Sequence, residues 1–257
     1  MSAALELRDV SLSFGGVQAL TDVSIAFPRG KIIGIIGPNG AGKTSLLNVS
    51  SGVSMPDRGE IVLDETVVTR AKPHKIAQLG LRRTFQASQL FPSMTVLENM
   101  MTGLHLHARA GLFACAFRTP RMRREEQDMR DRARDALELV GFEHFADRRG
   151  DALSFGQQRI VEIARTLIGD PKVVLLDEPA AGLSMGRVEE LDALLRRIRD
   201  ERGVTIIMIE HVIGLVMGVS DHIVVMNSGR KIAEGTADEV RENREVVTAY
   251  LGAQSAH

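Results

Sequence analysis

At 257 residues, 44% of them hydrophobic and 25% charged, the chain has the make-up of an ordinary globular protein with enough length for a substantial core. A formal net charge of -1 excludes a protein that wraps nucleic acid through bulk basicity, and no nucleic-acid partner is expected. The single cysteine, Cys115, rules out an internal disulfide framework and suits a reducing compartment. Met1 to Arg8 lacks the basic start and apolar run of a signal peptide. The longest apolar neighbourhood, Val204 to Val219, is broken by Glu210 and His211 and falls short of the ~20 residues that span a bilayer. The chain is therefore not expected to cross a membrane by itself, which leaves it free to sit on one.

In chain order, Leu5 to Phe14 alternates as a half-buried strand does, Gly15-Gly16 turns it, and Val23 to Phe27 reads as a second strand before Pro28-Arg29-Gly30. Phe14 and Val17 lie where a residue facing an adenine ring could sit. A lone aromatic beside a double glycine is more commonly packing, so both readings stay open here. Lys31 to Ile36 is a short apolar run suited to a buried parallel strand. It leads into Gly37-Pro38-Asn39-Gly40-Ala41-Gly42-Lys43-Thr44, which fits G-x-x-x-x-G-K-S/T, and Ser45 to Val49 then starts a helix. A triphosphate needs this order. Glycines let the backbone curl so that several N–H groups point inward at phosphate oxygens, and the helix N-terminus adds positive charge at the same spot. Lys43 would reach the β- and γ-phosphates of ATP, and the Thr44 hydroxyl would ligate Mg²⁺.

Asp57-Arg58-Gly59 marks a turn and Glu60 to Leu63 a further strand, so the short N-terminal strands form an antiparallel sheet flanking the nucleotide. Leu79 to Gln86 reads as a strand ending in a polar residue. Thr95 to Glu98 fits a capping box that begins a helix. Leu104 to Phe117 is apolar with interspersed His105, His107 and Arg109, a packed helix or loop, or else a surface that meets a partner or the membrane interface. Arg118, Arg121, Arg123 and Arg124 lead into a charged helix to Val140. Its Met129, Ala133, Ala136, Leu137 and Val140 recur at helical spacing and leave the charges as a solvated face.

Ser154 to Gln157 is a second capping box, followed by Ile160, Ile163, Ala164 and Leu167 at helical intervals, with Gly169-Asp170-Pro171 as the stop. Lys172 to Glu178 is a buried strand ending in two carboxylates, and Val204 to Ile209 another ending in Glu210-His211. Ile223 to Met226 and Lys231 to Ala233 flank Asn227-Ser228-Gly229 as a hairpin. Thr236 to Glu239 caps a last helical region, and the polar stretch after Leu251 is expected to fray. With a phosphate loop present, Asp177 at a strand end is placed to hold Mg²⁺ through its water shell. Glu178, one residue on, would lie near the γ-phosphate and accept a proton from an attacking water.

Taken together, these motifs resemble the ABC-type ATPases, the nucleotide-binding subunits of membrane transporters, over essentially the whole chain from Leu5 to Gly252. The most specific piece is Leu153-Ser154-Phe155-Gly156-Gln157-Gln158-Arg159, similar to the family signature L-S-G-G-Q. The resemblance implies an α/β fold: a P-loop NTPase (RecA-like) core, an N-terminal antiparallel β subdomain and an inserted α-helical subdomain. It places one ATPase domain over 1–251, with core about 1–85 and 160–235, helical subdomain about 86–159, a C-terminal helical region at 236–251 and a tail at 252–257. Under it, Gln86 matches the glutamine that senses Mg²⁺ and the attacking water and links to the membrane subunit. His211 matches the histidine that contacts the γ-phosphate, and Phe14 the adenine-stacking aromatic. Ser154, Gly156 and Gln157 match the signature residues offered to a nucleotide held by the partner subunit.

Two positions depart from the family pattern: Phe155 replaces the first signature glycine, and Ser184 stands where an aspartate is usual. With Phe155 expected to pack at the base of the signature helix, its removal should cost the few kcal/mol of a buried aromatic. Arg83 to Asn99, Leu176 to Leu183, Ile209 to Gly218 and Ala249 to Gly252 narrow the resemblance to the larger ATP-binding subunit of high-affinity branched-chain amino-acid importers. Such systems imply a head-to-tail dimer with a second ATP-binding subunit or with itself. They also imply two transmembrane permeases, a periplasmic solute-binding protein, and a peripheral location on the cytoplasmic face of the inner membrane. The alternatives are an ABC ATPase for urea, another solute or lipid export, and a soluble one acting in DNA repair or on the ribosome. Those last chains carry long coiled-coil insertions or tandem ATPase domains, and this one has a single P-loop.

Overall fold

A computed structural model describes residues 3–85, 90–104 and 120–254. The chain divides into two compact units, Met1–Gln86 with Lys172–His257, and Ala87–Pro171. The first unit is built on two sheets. Strands β1 (Ala3–Phe14), β2 (Val17–Pro28), β4 (Arg58–Leu63) and β5 (Thr66–Val67) form an antiparallel sheet in the order β2-β1-β4-β5. The alternation read in the sequence extends further than expected, since β2 begins at Val17, immediately after the Gly15-Gly16 turn.

The second sheet has the order β10-β9-β3-β8-β7-β6, from β3 (Ile32–Ile36), β6 (Leu81–Arg83), β7 (Val173–Asp177), β8 (Thr205–Ile209), β9 (His222–Asn227) and β10 (Arg230–Gly235). All pairings are parallel except the β9–β10 hairpin. Every residue of β3, β7 and β8 is buried, which is why these strands read as unbroken apolar runs rather than alternating ones. One face, through Ile33, Ile35, Val173, Leu175, Ile207 and Ile209, packs on Leu5, Leu7, Ile25 and Phe27 of the antiparallel sheet to make a single core.

Helix α1 (Lys43–Ser50) follows the phosphate loop and α2 (Pro73–Gln78) precedes β6. The strand expected over Leu79 to Gln86 is shorter: Leu79 caps α2, and only Leu81–Arg83 pairs with β7. Gln86 lies outside the described residues. The second unit contains α3 (Val96–Thr102), α4 (Pro120–Leu139) and α5 (Phe155–Leu167). Both predicted capping boxes form, with Thr95 accepting from the Glu98 N–H and Ser154 from the Gln157 N–H. On α4 the expected apolar face is buried at Ala133, Ala136 and Leu137, with Met129 half-buried and Val140 buried just past the helix end. The signature helix α5 belongs to this unit, whereas the sequence reading put residues from 160 onward in the core. Most of the 104–124 insertion, including His105, His107, Arg109 and Arg118, lies outside the described residues.

Returning to the first unit, α6 (Met185–Arg202) and α7 (Ile213–Val219) link β7 to β8 and β8 to β9, α8 (Ala237–Glu242) starts at the Thr236 capping box, and α9 (Arg244–Gln254) follows. Helix α9 continues to Gln254, beyond the expected start of the frayed tail. At the β9–β10 turn, the Gly229 carbonyl accepts from Thr21 N–H of β2 at 2.8 Å, and its N–H donates to the Ala41 carbonyl of the phosphate loop at 3.1 Å. Gly229 has φ 76°, and an added Cβ would lie 2.8 Å from the Ala19 carbonyl oxygen, so both conformation and space require glycine.

Candidate active site

Three strands end side by side. Ile35 of β3 pairs with Ile209 of β8, and Ile209 pairs with Asp177 of β7. The residues one step beyond these ends, Glu178 and Glu210-His211, therefore emerge beside the loop that leaves β3. Ligand sites in parallel α/β sheets lie beyond the carboxyl ends of the strands, and the chemistry-bearing side chains collect there.

The loop itself needs its glycines. Gly37 has φ 153° and Gly42 φ 95°, the latter in the left-handed conformation as the N-cap of α1. A Cβ on Gly42 would sit 2.6 Å from the Ala19 carbonyl oxygen, so nothing larger fits against β2. Lys43 opens the helix with its side chain folded back over the loop, its Nζ donating to the Gly37 carbonyl at 2.7 Å and the Pro38 carbonyl at 3.0 Å. Burial pushes the Lys43 ammonium below its ordinary 10.5, against the opposing pull of the Glu178 charge. A cation held in a poorly hydrated place gains from any anion brought to it.

A cleft of about 350 Å³ opens at this point. The loop residues Asn39 to Thr44, with Ser45, line one wall; Val17 to Ala19 form the second; Glu178 and His211 complete it. Of the predicted nucleotide contacts the structure thus brings together Val17, Asn39, Gly40, Ala41, Gly42, Lys43, Thr44, Ser45, Glu178 and His211. Pro38 instead faces a neighbouring cleft between the loop and α9. Phe14 pairs with Val17 across the hairpin end and is 52% exposed, but it is not part of the cleft wall.

His211 Nε2 lies 3.0 Å from Glu178 Oε1, placed to donate to the carboxylate. Glu178 has φ 49°, a left-handed backbone rare for a residue with a side chain, while its N–H extends the β8 ladder to the Ile209 carbonyl at 3.0 Å. Such strained positions concentrate at functional sites.

Glu210, which the sequence reading noted only as a strand end, is 2% exposed. Its Oε1 accepts from the Ala180 N–H at 2.5 Å and its Oε2 from the His211 and Val212 N–H groups at 3.1 and 3.4 Å. This carboxylate braces the loop after Glu178 against the loop carrying His211. Burial raises it above its ordinary 4.5 despite those three donors. The native state therefore holds this proton more tightly than the unfolded chain does. That contribution to stability is present in full below 4.5 and is lost as pH rises through the raised value.

Asp177, at the end of β7, is 4% exposed. Its Oδ2 accepts from Arg83 at 2.9 Å, and its N–H donates to the Thr84 hydroxyl at 3.2 Å. Among the described residues no group of three or more His, Cys, Asp or Glu could hold a metal. The donor set fits Mg²⁺ all the same, because that ion keeps several waters and takes one or two carboxylates together with substrate phosphates.

Ser154, Gly156 and Gln157 belong to the other unit. The Ser154 hydroxyl and the Gln157 side chain form the reciprocal cap of α5, with the Ser154 N–H donating to Gln157 Oε1 at 2.9 Å. Phe155 corrects an expectation: it is not packed at the base of the helix but 49% exposed, with the Arg159 guanidinium 5.7 Å from its ring centroid. Beneath it Arg159 pairs with Glu162 at 3.0 Å, both side chains 4% exposed. Phe155→Gly is therefore expected to lower stability by only about 1–2 kcal/mol, the sum of a half-buried ring and its cation–π contact with Arg159. Urea denaturation checks this, and a loss of several kcal/mol would restore the buried reading.

The ABC transporter family model matches residues 20–181, and a model described as branched-chain amino acid ATP-binding cassette transporter matches residues 230–256. The chain is 42% identical to the high-affinity branched-chain amino acid transport ATP-binding protein BraF of Pseudomonas aeruginosa, over 96% of this chain and 97% of that one. Its counterpart LivG of Escherichia coli is 40% identical over the same shares. Among solved structures, an ATP-binding cassette of an ABC transporter in its ADP conformation superposes with a TM-score of 0.85 at 32% identity, covering 98% of this chain and 100% of that one. A dimeric cassette bound to ADP and Pi superposes at 0.75 with 26% identity, covering 91% and 98%. With a family model over residues 20–181 and relatives alike along nearly their whole length, the chain belongs to the ATP-binding cassette family of ABC transporter ATPases.

Proposed function

We propose that this ATPase powers the import of branched-chain amino acids, with both compact units acting as one catalytic domain over 1–251. What carries the reading is the cleft where Lys43, Glu178 and His211 converge on the phosphate loop. The substrate class rests on the match over residues 230–256 and on the relatives' transport of branched-chain amino acids.

In this reading the loop N–H groups and Lys43 bind the phosphates of ATP, the ammonium exchanging its bonds to Gly37 and Pro38 for phosphate oxygens. Val17 and Phe14 take the base. Glu178 accepts the proton of the attacking water, oriented by His211, and Glu210 holds the two loops in register. Thr44 and, through the water shell, Asp177 would hold Mg²⁺, which when bound would supply charge neutralisation at the phosphates; Gln86 would sense the same ion. Ser154, Gly156 and Gln157 serve the nucleotide of a second ATP-binding subunit, or of a second copy, in a head-to-tail dimer. No helix of the described residues is long and apolar enough to cross a membrane. We place the chain peripherally on the cytoplasmic face of the inner membrane, bound to permease subunits and served by a periplasmic binding protein.

The test is reconstitution with the neighbouring permeases and binding protein in ATP-loaded proteoliposomes. ATP-dependent uptake of leucine, isoleucine or valine is expected. Uptake of urea and not of these amino acids would replace the substrate while keeping the ATPase.

A further inference from the structure

Arg83, at the end of β6, lies next to the end of β7 in the sheet although 94 residues separate it from Asp177. Its guanidinium is placed against three different elements. Nη1 donates to Asn48 Oδ1 at 2.7 Å and to Ser51 Oγ at 3.1 Å, tying it to the C-terminal half of α1 and the residue after it. Nη2 donates to Asp177 Oδ2 at 2.9 Å, and both side chains of this ion pair are 5% exposed. The guanidinium carbon stands 5.0 Å from the centroid of the Phe85 ring, on the loop that leads toward Gln86.

A carboxylate this deeply buried needs a partner, and a planar fork satisfies two directions at once where an ammonium would make a single point contact. The grip also has a direction. With Oδ2 accepting from Arg83, turning the carboxylate about its Cβ–Cγ bond would break this ion pair, which leaves Oδ1 as the oxygen for a metal. Because the same guanidinium is bonded to Asn48 and Ser51, the carboxylate is positioned relative to the helix that carries Lys43 and Thr44.

We propose that Arg83 is the positioning residue for the metal-bearing carboxylate: it fixes Asp177 against the phosphate-loop helix. This rests on the ATPase reading above. Residues that orient a metal ligand from behind are worth 10–100-fold in metal affinity or activity, so a loss of that size is expected here.

The experiment compares the full chain with Arg83→Gln, Arg83→Lys, Asp177→Asn and the double variant Arg83→Gln/Asp177→Asn. ATP affinity is measured by calorimetry in EDTA and across a Mg²⁺ titration, and melting is followed without nucleotide. In EDTA, Arg83→Gln should bind ATP within about twofold of wild type, while the gain in affinity on adding Mg²⁺ falls by about tenfold or more. Arg83→Lys should lose most of that gain too, because charge without the fork does not fix the carboxylate. In the Asp177→Asn background the Arg83 substitution should change the Mg²⁺ gain little further, since both act through one carboxylate. If Arg83→Gln does not fold, Arg83→Lys carries the comparison alone. A wild-type Mg²⁺ gain in the folded variant, or additive losses in the double variant, overturns the proposal. A wild-type chain that binds MgATP but hydrolyses none in the assembled transporter overturns the ATPase reading instead, and the Mg²⁺ titration still decides on Arg83.

Discussion

Glu178→Gln is expected to lower ATP turnover in the assembled complex by roughly 10²–10⁴-fold, the usual worth of a positioned proton acceptor, while ATP binding stays close to wild type. Glutamine has nearly the same shape and no greater objection to the φ of 49° at this position. It can also accept from His211 Nε2 as the carboxylate does at 3.0 Å. What changes is the ability to take a proton from water. The loop N–H groups and Lys43 remain, so nucleotide still binds, and closed dimers holding unhydrolysed ATP should accumulate by size-exclusion chromatography. Full turnover in this variant would remove Glu178 from the chemistry.

Lys43→Ala should weaken ATP binding by roughly 10–100-fold, since a charge-assisted hydrogen bond contributes about 1.5–3 kcal/mol. The side chain is 6% exposed, so the substitution also removes the donor now satisfying the Gly37 and Pro38 carbonyls and should loosen the loop. A pH dependence follows from the burial of the amine. Because Lys43 is depressed below 10.5, it loses its proton at a lower pH than an exposed lysine, and with it the attraction for phosphate. ATP affinity should fall as pH rises through that depressed value, and the fall should be absent in Lys43→Ala. Calorimetry across pH reads both effects, and an unchanged affinity in the variant would remove the phosphate-binding role.

The parts of the site that were legible in the sequence share one property: each is specified by a few neighbouring residues. The phosphate loop, the Thr95, Ser154 and Thr236 capping boxes, and the acids and histidine at apolar strand ends are all of this kind. Helix α6 is missing from the sequence reading, although Val188, Leu191, Leu195 and Ile198 recur at helical spacing and form its buried stripe. Arg83 and Glu210 were not legible. Their roles come from which strands lie side by side, and nothing local in Arg83-Thr84-Phe85 announces a carboxylate from β7. Phe155 fails for a related reason. An aromatic at the first turn of a helix faces inward or outward according to what packs there, and in this chain its ring stays half-exposed beside the buried Arg159–Glu162 pair.

The turn at Gly229 sets a gauge. Its carbonyl accepts from Thr21 of β2 and its N–H donates to Ala41 of the phosphate loop, so main-chain atoms alone fix the span from β2 to the phosphate loop. The exposed side chains along β2 and β10 can drift without altering that span, because none of them carries the joint. A single methyl group at position 229 would alter it, since it would press on the Ala19 carbonyl. Tolerance to mutation around the cleft is therefore uneven: broad at the exposed positions of the two strands and close to nil where, as at Gly42 and Gly229, a residue contributes by having no side chain.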